Sequence, residues 1–363
     1  MNVISTAANE YYRRPADEIY PDPAALVTFS QERKAASREI SYNAKDLSVV
    51  AVDDRRVQLA SPRGAAELTP WSHAQLCRTA GAPAGYVRSL PAPIQADALN
   101  HGLRSSAAGT TLSILAQLDS AAGSVTARAV TSETYGRLWD ADMYGPIVDG
   151  LCAQGWSNPP TWDGKPAGSY ASDRDSFLVL VNGGSIVNDP SVRSGNGDMY
   201  RGIILKNSEV GAAGVYMDEI LYQFVCGNHN FWGAVLAKTY RRRHVGTRVL
   251  RDVLRELGSL ARSAVSRPAS VDEILIKALI DRELASTQDA CVDELVKMGA
   301  TKQDAIAAYK AADQTFDASP RSFWGLAQGF TRISQESGYQ DDRMALDQLA
   351  AKVLSRGRVL VAA

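Results

Sequence analysis

The stretch Met199–Val249, MYRGIILKNSEVGAAGVYMDEILYQFVCGNHNFWGAVLAKTYRRRHVGTRV, decides how the rest of the chain is read. Tyr200–Leu205 predicts a strand, and Asn207, Ser208 and Glu209, closed by Gly211, predict a polar turn after it. The apolar run Val215–Cys226 predicts a second strand, followed by another turn at Gly227–Asn228. The stretch ends on Arg241, Arg242, Arg243 and His244, consecutive residues that can all carry positive charge. Turn chemistry and charge packed this densely beside buried-type strands mark a region where sites form.

Outward toward the N-terminus, Phe177–Val181 is a continuously apolar strand of the kind buried on both faces, set between long loops at Asn158–Ser172 and Gly183–Asp198. Thr111–Leu118 and Ser124–Val130 flank Asp119–Gly123 as a hairpin. Thr131-Ser132-Glu133 is expected to cap a helix running to about Ala153, with Leu138, Met143, Ile147, Val148 and Leu151 facing the core. Leu47–Val52 and Val57–Leu59 predict a small hairpin, and Thr69-Pro70 predicts an N-cap with proline at the first helical position and Gly81 as the stop. Short helices are expected at Pro83–Ser89 and Pro93–Leu103. Residues 1–40 are polar, contain proline and lack clear periodicity, which predicts an arm, partly disordered or wrapped on the body or a neighbour.

Beyond Gly246 the pattern is helical, with candidates at 247–265, 271–285, 288–298, 302–313, 321–335 and 341–355. Ser270-Val271-Asp272-Glu273 reads as a capping box and Thr301-Lys302-Gln303-Asp304 as a second capping signal. The expected fold is therefore α+β. It comprises an arm over 1–40, a small α+β lobe over 41–108, a central, mainly antiparallel sheet domain over 109–246 and a helical region over 247–363.

At 363 residues the chain can bury a real core in two or three lobes, and 45% hydrophobic with 22% charged residues is an ordinary soluble composition. No run approaches the roughly 18 apolar residues of a membrane span, and MNVISTAANEYYRRPADE has no apolar core of a secretory signal. Cys77, Cys152, Cys226 and Cys291 are too widely spaced for a disulfide framework, so the expected setting is a reducing cytoplasm. A net charge of −1 excludes a globally basic nucleic-acid binder. Between Lys238 and Arg267, however, nine Lys/Arg face only Asp252 and Glu256, a local excess of nine minus two. Local fields govern binding more than the sum does.

Three runs carry a resemblance: Asn207–Gly211 (NSEVG), Phe224–Asn228 (FVCGN) and Arg243–Gly246 (RHVG). Together they resemble the phage/plasmid-like proteins grouped as domain-of-unknown-function family 932. Pro83-Ala84-Gly85-Tyr86 resembles a segment that precedes the central sheet in that family, and Phe323–Arg332 and Asp342–Leu354 echo its C-terminal helical segment. The resemblance implies a gene carried on a phage, plasmid or related mobile element, a setting in which DNA-recombination functions are common. It brings no chemistry of its own.

The residues themselves leave three readings open. On a wheel at about 100° per residue, Leu250, Val253, Leu254, Leu257, Leu260, Ala261 and Ala264 fall within roughly 120°, and Arg248, Arg251, Arg255 and Arg262 cluster opposite them within about 60°. The first reading is a homo-oligomeric nucleic-acid-binding or annealing protein, single-stranded DNA favoured, in which Arg241, Arg242, Arg243, His244 and these four arginines hold phosphates. Tyr216, Tyr222, Phe224, Phe231, Trp232 and Tyr240 would stack bases, unless they are core. The bland version is a solvated helix face partly neutralised by Asp252 and Glu256. The second reading is a nucleic-acid-processing enzyme using magnesium at Glu209, Asp218 and His244, with Glu219 nearby. Acids at a turn, however, more simply act as caps, and no Walker A, G-x-S-x-G or H-E-x-x-H motif is present. Cys226, His229 and His244, with Glu209 or Asp218 as a fourth ligand, are permissible for zinc but lack the spacing of structural zinc, and no resident metal or cofactor is expected. The third reading is a non-enzymatic oligomeric assembly protein. In all three, Asn207, Ser208, Glu209, Gly211, Gly227 and Asn228 are structural turn residues.

Overall fold

The computed structural model describes residues 14–106, 109–160, 167–188, 191, 198–225, 228–233, 240–246, 249–266, 269–336, 345–346 and 349–357. The fold is α+β, built on two sheets rather than one. The first contains β1 (Ser37–Asn43), β2 (Ser48–Ala51), β3 (Val57–Ser61), β4 (Gly64–Leu68), β5 (Thr111–Asp119) and β6 (Ser124–Ser132), in the order β1-β5-β6-β4-β3-β2. Every pair is antiparallel except β4 with β6. The hairpin expected over 111–130 thus completes the N-terminal sheet instead of opening the central one.

Helix α1 (Pro23–Ala35) precedes β1, and α2 (Pro70–Thr79), α3 (Ala84–Ser89) and α4 (Ala92–Arg104) lie between β4 and β5. The Thr69 hydroxyl accepts the Ser72 amide at 3.0 Å with Pro70 at the first helical position, as the local sequence predicts. Leu76 and Leu99 from these helices meet Leu59 and Leu112 of the sheet in one core. Each fully buried side chain of this size stabilises the fold by about 1.5–3 kcal/mol.

The expected arm is corrected from residue 23 onward, where the chain forms α1 and β1. Asp22 caps α1 by accepting the Ala25 amide at 2.7 Å. The apolar period is weak because one inward position of α1 is Arg33, buried beside carboxylates. A second correction falls at Thr131-Ser132, which finish β6 by pairing with β5. The helix, α5 (Asp140–Cys152), starts only after Trp139, yet Leu138, Met143, Ile147, Val148 and Leu151 are all buried as expected.

The second sheet is antiparallel throughout: β7 (Trp156–Ser157), β8 (Ser169–Ala171), β9 (Ser176–Asn188), β10 (Asp198–Asn207), β11 (Val215–Val225), β12 (Asn228–Gly233) and β13 (Tyr240–Arg242). Its order is β12-β11-β10-β9-β7, with β8 on β9 and β13 on β11. β9 runs on through Gly183 and Gly184, where a loop is expected, by absorbing a register shift opposite Tyr200/Arg201. Leu178, Ile203, Leu205 and Met217 on one face pack with α1, α5 and α6 (Val249–Ser266), whereas Phe177, Val179, Ile204 and Ile220 form a core on the other face.

Helices α7 (Ala269–Asp281), α8 (Gln288–Lys297), α9 (Lys302–Thr315) and α10 (Phe323–Glu336), with a helical segment at 349–357, enclose a third core that reaches Val187 and Met199 of β9 and β10. Thr301 caps α9, accepting the Asp304 amide at 3.1 Å. Ser270 does not cap α7, because it lies within the helix. Asp272 of that expected box is instead fully buried, accepting from Arg201 Nε at 2.9 Å and fastening the helical region to β10. No helix among the described residues is long and apolar enough to cross a membrane.

Candidate nucleic-acid interface

The Asn207–Gly211 turn ends β10 and is sewn into the N-terminal half of the chain residue by residue. Asn207 Nδ2 donates to the Leu138 carbonyl at 2.9 Å and to Asp140 Oδ1 at 2.7 Å, so it reaches across the fold rather than to local amides. Ser208 does bond locally, accepting the Ala212 amide at 2.9 Å, while its hydroxyl donates to the Arg174 carbonyl. Glu209 is buried, and its carboxylate accepts from Arg128 Nη1 at 2.9 Å and from the Asp140 amide at 3.0 Å, with Arg33 Nε at 3.4 Å. Its carbonyl accepts from Arg137. The Val210 carbonyl accepts from Trp71 Nε1 at 2.9 Å and Gln75 Nε2 at 2.7 Å. Gly211 closes the turn at φ +80°, a region that side-chain-bearing residues rarely adopt.

Arg128 reaches Glu209 because of a bulge. Leu115 pairs with Ala129 and Ala116 with Ala127, so Arg128 is the extra residue in β6. Bulges re-aim side chains in this way. Asp140 completes the cluster, accepting from Arg33 Nη2 at 2.7 Å and the Ser176 hydroxyl at 2.7 Å. Burial, and then the neighbouring Glu209 carboxylate, push Asp140 up to about 6 against the pull of Arg33, Ser176 and Asn207. Burial also acts to raise Glu209, but Arg33 and Arg128 outweigh it and hold the carboxyl below its usual range. Glu209 is already held by two guanidinium groups and an amide.

His244 is corrected from a surface cation to a buried anchor. Its Nδ1 lies 3.1 Å from the Gly136 carbonyl, the Gly136 amide donates back to the His244 carbonyl at 3.2 Å, and the Gly246 amide donates to the Thr134 carbonyl at 3.1 Å. A bridge between Tyr135 and Val245 continues this pairing. Burial lowers the imidazole below its ordinary value, the Gly136 carbonyl partly opposes this, and Arg137 adds to it.

Between the 211–214 loop and β13 opens a cleft of about 690 Å³, walled by Tyr135, Tyr216 and His244 and lined by Arg241, Arg242 and Arg243. Gly214 sets its width: a Cβ there would lie 2.6 Å from the Arg242 carbonyl oxygen, so only glycine lets β13 approach this loop. Arg241 lies over the Tyr216 ring at 5.1 Å and 3.8 Å from the buried Asp218. Arg242 and Arg243 are exposed and form no ion pair among the described residues.

The basic helix is oriented as its periodicity predicts. Val253, Leu257 and Ala261 of α6 are buried, and Arg251, Arg255 and Arg262 are exposed. Among the described residues Arg255 has only a solvent-facing partner, Asp252, at 3.5 Å, a pairing of little energetic weight. β13 and α6 are neighbours, for Tyr240 packs against the same core as Leu254 and Leu260 and lies against Glu256 of the helix. Burial, and then Glu256, push the Tyr240 hydroxyl up to about 12. Register places Arg242 beside Val215 on this same face of the sheet, and Arg241 beside Tyr216 on the other.

Several expected site residues do not converge. Glu209 is enclosed by arginines, Asp218 is buried near Arg241 and His244 is tied to Gly136. Among the described residues no group of three or more His, Cys, Asp and Glu could share a metal ion. Arg248, Cys226 and Gly227 lie outside the described residues. Asn228 and His229 pair through their backbone with Val225 and Phe224 in the β11–β12 hairpin; the side chains of Tyr222, Phe224, Phe231 and Trp232 are also outside what the structure describes. The residues that sequence reasoning misses are Arg33, Arg128, Arg137, Asp140 and Tyr135. The one local signal is Arg128 standing amid the small and β-branched residues of β6. Comparison of the chain with protein-family models, with curated proteins and with solved structures found no match.

Proposed function

We propose that this protein binds nucleic acid, with single-stranded DNA its favoured partner, through the surface that runs from β13 onto α6. One observation carries the reading: Arg241, Arg242, Arg243, Arg251, Arg255 and Arg262 are all exposed on adjoining elements, while the chain as a whole carries a net charge of −1. Such a local excess attracts a polyanion, and guanidinium groups bind phosphate oxygens in pairs. The tyrosine-walled cleft favours single strands, because only unpaired bases offer their faces to a ring. The resemblance of the NSEVG, FVCGN and RHVG runs to phage/plasmid-like proteins supports the same reading and suggests single-strand binding or annealing during recombination.

The test is a mobility-shift titration against single- and double-stranded DNA and RNA at two salt concentrations, with and without magnesium. The expected result is tighter binding of single-stranded DNA, weakening steeply with salt and leaving the strand intact. Absence of any shift at the lower salt overturns the proposal, and magnesium-dependent shortening of the strand favours the enzyme reading instead.

A further inference from the structure

The first sheet holds an apolar space beyond the reach of its helices. Along β5, Leu112 and Ile114 join the core of α2 and α4, and Ala116 and Leu118 continue the same face past it until Leu118 is 50% exposed. The sheet is opened and curled at this end. The bulge that re-aims Arg128 lies just after Ile114 and bends the β5–β6 hairpin. β4 pairs with β6 only through Glu67 with Thr126 and Leu68 with Ala127, so its Gly64–Ala66 end has no partner in β6. Across the inner face the Ser61 hydroxyl donates to the Tyr42 hydroxyl at 3.3 Å, which draws β3 to β1 although the two are not neighbours in the sheet. The curl encloses a pocket of about 220 Å³. Leu59 and Ile114 are its buried lining, and Ala66 and Ala116 stand where larger side chains would fill it.

The rim of this pocket has one sign of charge. Arg38 and Arg63 are the only charged residues that line it, and both are exposed. Arg38 Nη1 donates to the Ala35 and Ser37 carbonyls at 2.9 and 2.7 Å, which holds the guanidinium group in place without neutralising it. Neither arginine has an ion-pair partner among the described residues. The acids of the same strands are engaged elsewhere: Glu39 by Ser113 and Arg137, Glu67 by Gln58, and Asp119 by the Ala121 and Ala122 amides. Tyr42 accepts from Ser61, so its own proton is left to donate. The volume exceeds the roughly 150 Å³ that holds a benzene ring and falls short of the roughly 300 Å³ at which drug-sized sites begin.

We infer that this pocket binds a small aliphatic monocarboxylate of the medium-chain fatty-acid type. The chain fills the apolar space, and the carboxylate meets Arg38, Arg63 and the Tyr42 hydroxyl at the rim, where guanidinium groups pair with its two oxygens. The site lies on the first sheet and does not rest on the nucleic-acid reading.

The test titrates the full-length protein by calorimetry with octanoate, with butyrate as the same head on a short chain and with octanol as the same chain without charge. Each methylene buried is worth about fourfold in affinity, so octanoate should bind at least tenfold more tightly than butyrate. Octanol should also bind more weakly than octanoate. Arg38→Gln/Arg63→Gln should weaken octanoate about tenfold and leave octanol unchanged, whereas Ala116→Leu, which fills the space, should weaken both. Octanoate binding no tighter than butyrate, or unaltered in the arginine variant, overturns the inference. So does unaltered binding in a folded Ala116→Leu protein. Should Ala116→Leu melt earlier than the parent, the exposed arginine variant and octanol carry the test. Two further outcomes give the pocket to another occupant and overturn the inference equally. One is displacement of octanoate by an oligothymidylate, which assigns the arginines to a strand. The other is a dimer that binds no octanoate and that Arg38→Gln/Arg63→Gln dissociates in sedimentation, which assigns the pocket to a second copy of the chain.

Discussion

Two groups of arginines in this protein have opposite fates. Arg33, Arg128, Arg137 and Arg201 are buried, each against a carboxylate: Asp140 and Glu209, Glu209, Glu39, and Asp272 respectively. Arg241, Arg242, Arg243, Arg251, Arg255 and Arg262 are exposed, with at most a weak partner among the described residues. The side-chain chemistry is identical, so what separates the groups is the acid opposite. Buried guanidinium groups persist only where carboxylates and carbonyls satisfy them, and their cluster holds the first sheet, α1 and α5 to the Asn207–Gly211 turn. The exposed group is left with unmatched charge, which is a property for binding and not for folding.

Removing an acid from the buried group should have the largest effect. Glu209→Ala leaves Arg128 without its carboxylate and Arg33 with Asp140 alone, and urea unfolding should show a loss of about 3–5 kcal/mol. A loss under about 1 kcal/mol would erase the distinction between the groups. The milder Glu209→Gln sharpens the same point through pH. Because the folded carboxyl sits below its unfolded value, Glu209 stabilises the protein above about pH 4.5 and ceases to do so as pH falls through its folded value. The stability gap between parent and Glu209→Gln should therefore narrow on acidification below about pH 4.5, as followed by urea midpoints at several pH values.

An intermediate effect is expected from the turn that joins the two regions. Gly211→Val places a β-branched residue at φ +80° with its Cβ against the Tyr135 ring, and should cost about 1–3 kcal/mol in thermal unfolding. Melting like the parent would show that the turn is not constrained. The smallest effect on folding should come from the exposed group. Arg251→Ala/Arg255→Ala/Arg262→Ala should shift stability by under about 0.5 kcal/mol per site. It should also weaken single-strand binding for all sequences alike and flatten the log–log salt slope by about 0.7 for every phosphate no longer neutralised. A folded triple variant with unaltered affinity and slope would remove α6 from the interface.

The exposed group is legible in the sequence because its signal is local. The spacing of Val253, Leu257 and Ala261 against Arg251, Arg255 and Arg262 sets the two faces of α6 without reference to anything else in the chain. Strand periodicity around Phe177–Val181 and Val215–Val225, and the Thr69 and Thr301 caps, are legible for the same reason. The buried group is not. Arg33 and Asp140 are 107 residues apart, Arg128 and Glu209 are 81 apart, and no local pattern links them. Arg33 in fact breaks the apolar stripe of α1, which is why that helix reads as a featureless arm. His244 reads as a surface cation because it follows an arginine run, whereas Gly136 supplies a buried partner 108 residues earlier in the chain.

The short segment after β13 is fastened at both ends, to β11 through Arg241 and Arg242 and to residues 134–136 through the Gly136 and Gly246 amides. It therefore behaves as a strap between the two sheets, and its opening is a shared event rather than the fraying of one edge. In hydrogen exchange the Gly136 and Gly246 amides should lose protection together, at one rate and with one dependence on denaturant. Whatever fills the adjoining cleft should slow both by the same factor, so that the cleft and the junction of the sheets report on each other.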